Sequence, residues 1–425
     1  MKILLVSPKG DGGWYVWLLA HEGHDVDWHI ADDKYIGTFD GLVKPPLKRI
    51  PDPSRYDLIV FDTDGMGDDA DYARRSTPTV GSSVLADRLE EDRLFGLEVM
   101  ERAGIRVPAY EVFDSPEKGI AWLEKTHKRT VFKPIGADIE DKSTTYVSKD
   151  EKDMISFMGR VFSKAKINSF VLQEVVAGGT EAAVGGWFNG EEWLVVDHNI
   201  EEKKLMSGGI GPNTGCAGML VWIPPRPTPM FEQGLGRVTD WLREQNYVGP
   251  LDLNTIVTEG TAYGIEWTPR FGYEGTCNIT RLLPVPFAEL LRATATGESL
   301  SISPSGPKFA ATIRVSVPPY PLLGEQVRKK MVVPVLGVDC EHLENIFLAD
   351  VRAGANEGEL ETTGAFNCVG APIGTGDTID SAFAEAEAHV KRLNIPDMMW
   401  RNDLAKCISN RYITLERQGW LRPLG

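Results

Sequence analysis

Glu266, Thr268 and Arg270 occupy alternate positions of Glu266-Trp267-Thr268-Pro269-Arg270, and alternate residues of an extended strand share one face. A carboxylate, a hydroxyl and a guanidinium then line one surface. The preceding segment 249–258 turns back on 262–267 at Glu259-Gly260, and an even register sets Asn254 opposite Glu266 and Asp252 opposite Thr268. Two carboxylates, an amide and an Arg gather in a patch the size of one cation. Magnesium bound to phosphates takes oxygen ligands of this kind, usually one or two carboxylates with phosphate and water completing the shell. Glu266, Asp252, Asn254 and Thr268 are the candidate metal ligands; the plainer alternative is a solvated strand face.

Gly208 to Gly218 carries five glycines in eleven residues, a loop whose backbone N–H groups can close on an anion. It lacks the G-x-x-x-x-G-K-[ST] pattern, so a P-loop is excluded. Lys133 ends the apolar run Val131-Phe132 and precedes Pro134, where an ammonium reaches a phosphate as a point charge. The seven histidines show no H-E-x-x-H, and no G-x-S-x-G occurs, which leaves no hydrolytic nucleophile or zinc pattern. Five cysteines without a C-x-x-C pair argue against a disulfide frame.

The elements that must position these groups are legible from pattern. Residues 2–6 and 57–62 read as buried strands and 14–21 as a helix between them, a parallel α/β unit. Gly10-Asp11-Gly12-Gly13 lacks the G-x-G-x-x-G spacing of a dinucleotide site. Residues 87–102 read as one helix closed by Gly104 and Pro108, 130–133 and 170–176 as strands, and 181–188 with 192–196 as a hairpin around Asn189-Gly190. After Pro304-Ser305-Gly306-Pro307 the pattern changes to short strands and a helix over 381–393.

At 425 residues the chain is too long for one ordinary core. A net charge of −16 disfavours nucleic acid and acidic membranes, though not nucleotides, which a few local cations and N–H groups hold. No apolar run approaches the roughly 20 residues that span a bilayer, and Met1 to Pro8 is no signal peptide. A cytoplasmic protein is expected.

In chain order these pieces resemble phosphoribosylamine-glycine ligase, an ATP-grasp family of purine synthesis. Gly211-Pro212-Asn213-Thr214-Gly215 is similar to the family's G-P-N-T-G-G-M-G, and Glu266-Trp267-Thr268-Pro269-Arg270-Phe271-Gly272 to its E-F-N-x-R-F-G-D-P-E. Residues 363–370 and Arg401-Asn402-Asp403 resemble its "NGGRVL" and "RKDIG" segments. The resemblance implies α/β and α+β multidomain architecture: an N-terminal parallel α/β domain over 1–87, a two-lobed ATP-grasp domain over 88–303 whose smaller lobe spans about 110–170, and a small C-terminal mixed α/β domain over 304–425. It also implies roles. Arg93 and Lys133 would hold ATP phosphates, Gln173, Glu174 and Val176 the adenine, and Glu181 the ribose. Glu266 would bind Mg2+ (or Mn2+), and Arg270, with Lys142 and Lys133, would act on the reacting phosphate. Gly211, Pro212, Asn213, Thr214, Gly215 and Arg270 would meet the substrate.

The departures fall on the metal and on the substrate. Thr268 replaces the family's Asn, leaving Asp252 or Asn254 as substitutes. The mobile glycine-rich loop has become Gly136 to Thr145, keeping Lys142, and Gly209 stands where the family has an Asp. Glu274 falls near the acid of "GDPE". The implied reaction joins glycine to phosphoribosylamine at the cost of ATP. An amino acid joined to another amine-bearing sugar or nucleotide, and an inactive nucleotide-binding protein, stay open beside it. Partners are small molecules, with neither nucleic acid nor membrane, and the protein is a monomer or homodimer.

Overall fold

The computed structural model describes residues 1–135, 145–163, 167–225, 227–302, 306–321, 332–338, 340–356 and 358–424, the side chains of 340–342 excepted. Lys2–Ser7 (β1), Asp25–Ile30 (β2), Leu58–Phe61 (β3) and Thr79–Val80 (β4) form a parallel sheet in the order β2-β1-β3-β4. β1 and β3 are apolar almost throughout because both faces are covered, one of them by Gly13–His21 (α1), whereas β2 alternates Val26, Trp28 and Ile30 with Asp25, Asp27 and His29. The strand order reverses between β1 and β3, so their C-terminal ends open a crevice. Ser7, Asp11 and Asp62 stand there.

The span 87–102 is two helices, Val84–Glu91 (α2) and Arg93–Arg102 (α3), and not one. Asp92 turns out of helical backbone at ψ 88° and its carboxylate accepts the N–H of Phe95 at 3.0 Å. A capping side chain can satisfy a helix start only from a non-helical residue, so the cap breaks the apolar periodicity.

A four-stranded antiparallel sheet follows, in the order β5-β8-β6-β7: Tyr110–Phe113 (β5), Thr130–Ile135 (β6), Tyr146–Val147 (β7) and Ser169–Glu174 (β8). Pro116–Thr126 (α4) and Glu151–Phe162 (α5) start on the caps Ser115 and Asp150 and cover it. Phe132, Phe170, Leu172, Met154 and Met158 fill the layer between. Full burial of such a side chain contributes roughly 1.5–3 kcal/mol.

The larger sheet has nine strands. Thr180–Phe188 (β9), Trp193–Met206 (β10), Ile210–Trp222 (β11), Gly249–Thr258 (β12) and Thr261–Thr268 (β13) run in the order β13-β12-β9-β10-β11. Phe309–Ile313 (β14), Cys368–Gly376 (β17) and Val315–Ser316 (β15) continue it, with Ile346–Leu348 (β16) paired to β17. Segments on both sides of residue 304 thus share one sheet. The glycine-rich run 208–218 is mostly strand, not a free loop: β11 pairs with β10 through two irregularities beside Lys204, and Gly208, Gly209, Gly211 and Gly215 take positive φ. Glu274–Leu282 (α6), Ile379–Arg392 (α7) and Leu404–Arg417 (α8) pack on this sheet.

The N-terminal unit is joined to the larger sheet by aromatic contacts. Tyr15 of α1 meets Phe271 edge-on at 5.3 Å, and Phe271 meets Trp187 of β9 at 5.2 Å. Phe271 also donates its backbone N–H to the carbonyl of Asp62 at 3.1 Å. Arg270, one residue earlier, is fixed by this seam. Among the described residues, no helix is long and apolar enough to cross a membrane.

Candidate active site

The two antiparallel sheets enclose a cleft of about 1450 Å3. Arg93, Lys133, Gln173, Glu174, Val176 and Glu181 line it, and so do Asp252, Asn254, Glu266, Thr268 and Arg270. From the glycine-rich strand Asn213, Thr214 and Gly215 reach it, whereas Gly211 and Pro212 lie toward the hairpin tip, outside the lining. Lys142 lies outside the described residues.

The hairpin register is even at its critical end: Asp252 stands opposite Thr268 and Asn254 opposite Glu266. Pairing of β9 and β10 extends the pattern. One row across the sheet reads Asp197, Gly185, Asp252, Thr268, and the next reads Asn199, Ala183, Asn254, Glu266. Asn254 donates to the Thr268 hydroxyl at 3.3 Å. Burial lifts the Asp252 carboxyl to about 6 against the opposing pull of Asn199, Lys203 and Arg270. The donor set suits a divalent cation: Glu266 would supply a carboxylate while Asn254, Thr268 and Asp252 would supply further oxygens, the hard set magnesium takes beside phosphate. Among the described residues no group of three His, Cys, Asp or Glu side chains is placed to hold a metal ion by itself.

Cations line the opposite wall. Lys133 is almost fully buried, and burial together with the nearby Arg93 charge lowers its ammonium to about 8. Arg93 donates to the carbonyl of Pro134 at 3.3 Å, which ties the start of α3 to β6. Glu174 is in an ion pair with Lys128, and the Gln173 amide reaches the Pro108 carbonyl at 3.5 Å. Arg270 grips Glu90 of α2 with Nε at 3.0 Å and Nη2 at 3.0 Å, and lies 3.5 Å from Asp64. Burial opposes its charge, but Glu90 outweighs that and holds the guanidinium above its usual range.

Three groups escaped the sequence reading. Lys203 lies 2.6 Å from Glu181 and 3.9 Å from Glu201. Burial pulls its ammonium down, yet both carboxylates overcome it and keep Lys203 above the ordinary lysine range; burial raises Glu201 to about 7. Asp197 and Asn199 line the cleft floor from β10. Arg314 is bound to Glu274 at 2.6 Å, to the Thr214 carbonyl at 2.8 Å and to the Tyr320 hydroxyl at 2.7 Å, so Glu274 is an internal partner. Alternation of 197, 199, 201 and 203 with buried His198 and Ile200 was the available signal for the first two groups. For Arg314 none existed, since its partner is forty positions away.

A cleft between a small and a large antiparallel sheet is the arrangement of the ATP-grasp fold. Residues 91–276 match the family model described as phosphoribosylglycinamide synthetase, ATP-grasp (A) domain. The chain has the ATP-grasp fold, and the curated relatives it resembles along its length are phosphoribosylamine–glycine ligases. That of Thermotoga maritima is 27% identical, with 95% of this chain and 100% of the relative covered. That of Neisseria meningitidis serogroup B is 23% identical over 97% and 100%. The solved Thermotoga maritima phosphoribosylamine–glycine ligase superposes with a TM-score of 0.72 at 22% identity, covering 95% of this chain and 100% of that one. A biotin carboxylase from Campylobacter jejuni follows at 0.61 and 12%, covering 94% and 92%. At these identities the superpositions establish the fold.

Proposed function

We propose that this chain, as a cytoplasmic monomer or homodimer, phosphorylates the carboxylate of glycine with Mg-ATP and transfers the acyl group to phosphoribosylamine. The observation that carries the reading is the facing of Glu266 and Asn254 by Lys133 and Arg93 across one cleft, in a chain matched end to end by ligases of that name. The glycine carboxylate oxygen attacks the γ-phosphorus, the bond to the β-phosphate oxygen breaks, and ADP leaves. The amine nitrogen then attacks the acyl carbon, expels inorganic phosphate and loses a proton. Both steps gather negative charge, so alignment and neutralisation suffice and no covalent nucleophile is required.

In this reading Arg93 and Lys133 hold phosphates, the 173–176 strand end meets adenine, and Glu181 faces ribose. Glu266, with Asn254, Thr268 and Asp252, holds magnesium or manganese, which when bound neutralises phosphate charge. Arg270, positioned by Glu90, steadies the transferred phosphoryl group, and Asn213, Thr214 and Gly215 border the substrate. The segments 1–87, 88–303 and 304–425 serve as substrate, ATP-grasp and C-terminal mixed α/β domains.

Measuring ADP release with glycine and phosphoribosylamine supplied together tests this. Turnover that needs both is expected. Turnover absent there but present with another acid and amine pair removes this substrate assignment and leaves the ligase class.

A further inference from the structure

The turn that follows Arg270 carries a strained residue. Tyr273, the last residue before α6, sits at φ 44° and ψ −96°, where a side chain is crowded and glycine is the usual occupant. Its carbonyl accepts the Tyr15 hydroxyl of α1 at 2.9 Å. The Gly275 N–H donates to the Gly272 carbonyl at 2.8 Å, and the Gly272 N–H to the Thr276 hydroxyl at 3.1 Å. All of these bonds use only backbone at position 273, so a glycine would serve the turn without strain. An outlier held this firmly, with a large side chain in place, points to a function for that side chain.

The phenol stands at the β1–β3 crevice. Its hydroxyl acts on Asp11 and Thr63, its ring centroid is 5.8 Å from the Arg270 guanidinium, and both Tyr273 and Asp11 line the cleft. Asp11 is half-buried and among the described residues forms no ion pair; the Ser7 hydroxyl lies 3.5 Å away but is bound to Asp62 at 2.8 Å. Behind it Asp62 is fully buried, and its Oδ1 has no hydrogen-bond partner among the described residues. Amide formation leaves one proton to place, and Arg93 and Arg270 are donors only. Burial, then Asp11 and Asp62, hold the Tyr273 phenol well above its usual range, so it donates as well. The acceptor on this side of the cleft is Asp11.

Resting on the ligase reading above, we propose that Asp11 is the catalytic base that takes the proton of the attacking amine, with Tyr273 as the positioning residue that holds its carboxylate beside Arg270. The nitrogen–carbon bond forms, the electron pair of the carbon–oxygen bond leaves with inorganic phosphate, and the proton passes from nitrogen to an Asp11 oxygen and then to water. Burial raises the Asp11 carboxyl against the Tyr273 hydroxyl and the charges of Lys9 and Arg270, which makes it a stronger base than an exposed aspartate. Asp62 and Cys368 are the other titratable groups that feel it.

The test uses the full chain with Mg-ATP, glycine and phosphoribosylamine. Asp11→Asn is expected to lower kcat by about 10²- to 10⁴-fold, the contribution of a positioned base, while KM for the amine and Kd for Mg-ATP stay within about threefold. Asp11→Glu should recover part of the loss. Native kcat should fall as pH drops through the Asp11 carboxyl, since the base works only when ionised, and that fall should be absent in Asp11→Asn. Tyr273→Phe keeps the ring and removes the hydroxyl that opposes burial, so it should move the fall to higher pH. A native-like kcat in Asp11→Asn, an acid limb that persists there, or a KM that worsens as far as kcat falls overturns the proposal. Should Asp11→Asn not fold, Tyr273→Phe decides, and an unmoved acid limb overturns it. Native protein that releases no ADP with this pair fails the ligase reading itself and takes this inference with it; native turnover matched by Asp11→Asn fails the inference alone.

Discussion

The Lys203 ammonium lies 2.6 Å from a carboxylate oxygen of Glu181, and both side chains line the cleft. Glu181 is the acid expected at the ribose, while the charge of Lys203 is felt by Lys133 and by Asp252. In the proposed reading this one ion pair joins the ribose and phosphate ends of the cleft. Lys203→Ala removes a cation from a site where charge gathers, and the loss of one such donor costs about 10²- to 10³-fold in kcat. Lys203→Arg keeps the charge and should retain more activity. Steady-state ADP release checks both, and a Lys203→Ala protein within threefold of native kcat would exclude the role.

Lys133 supplies a pH dependence with a definite sign. Its ammonium titrates near 8 in the free protein, lowered chiefly by burial and then by Arg93. A bound triphosphate favours the charged form and raises that value, so binding takes up a proton around pH 8. Below pH 8 the cation is already present; above it, affinity for ATP should weaken by up to about tenfold per pH unit, as one proton is linked to binding. Calorimetry in two buffers of different ionisation enthalpy reads the uptake. Lys133→Met should bind ATP weakly with a flat profile over pH 7–9.

The β12–β13 turn was legible at Glu259-Gly260. Pairing counted from it, Thr258 with Thr261 and Thr255 with Gly264, would set Asn254 opposite Ile265; an irregularity between Asn254 and Thr255 shifts the register by one residue and brings Asn254 opposite Glu266, which no turn residue signals. The β9–β10 hairpin was read only as far as Val196, yet β10 runs to Met206. Beyond Val196 the cleft-facing positions become Asp197, Asn199, Glu201 and Lys203, and polar residues on a cavity floor resemble the end of a strand. The same feature hid the floor of the site. Asp92 posed the opposite problem: helical periodicity runs through it without a gap, and only its capping hydrogen bond breaks the helix.

Glu266 should dominate the metal requirement. It is the carboxylate in the row that also contains Asn254, and Thr268 beside them offers only a hydroxyl. Glu266→Gln keeps shape and removes charge. With fewer anionic ligands left in the set, the magnesium concentration for half-maximal ADP release should rise by about tenfold or more, in line with the weight carboxylates carry in magnesium sites. Thr268→Asn, by adding an amide oxygen, should lower it. A metal titration that gives equal midpoints for native protein and Glu266→Gln would place the cation elsewhere.

Arg401 connects the end of the chain to the catalytic strand. It is 1% exposed, contacts Glu202 at 3.1 Å and Asp403 at 2.9 Å, and donates to the Lys204 carbonyl at 3.0 Å. Arg411 holds the other Glu202 oxygen at 2.6 Å, and Asp403 accepts the N–H of Gly208 at 2.7 Å. Residues 202–208, and with them Lys203, are therefore fixed by side chains two hundred positions away. Removing one partner of a buried pair leaves the other charge unmatched, at a cost of about 3–5 kcal/mol. Arg401→Ala should lose that much in urea unfolding, Arg401→Lys part of it. Because the loosened segment carries Lys203, kcat should fall further than KM for ATP changes, measured well below the unfolding transition. Equal stability of Arg401→Ala and native protein would show that Arg411 alone satisfies Glu202.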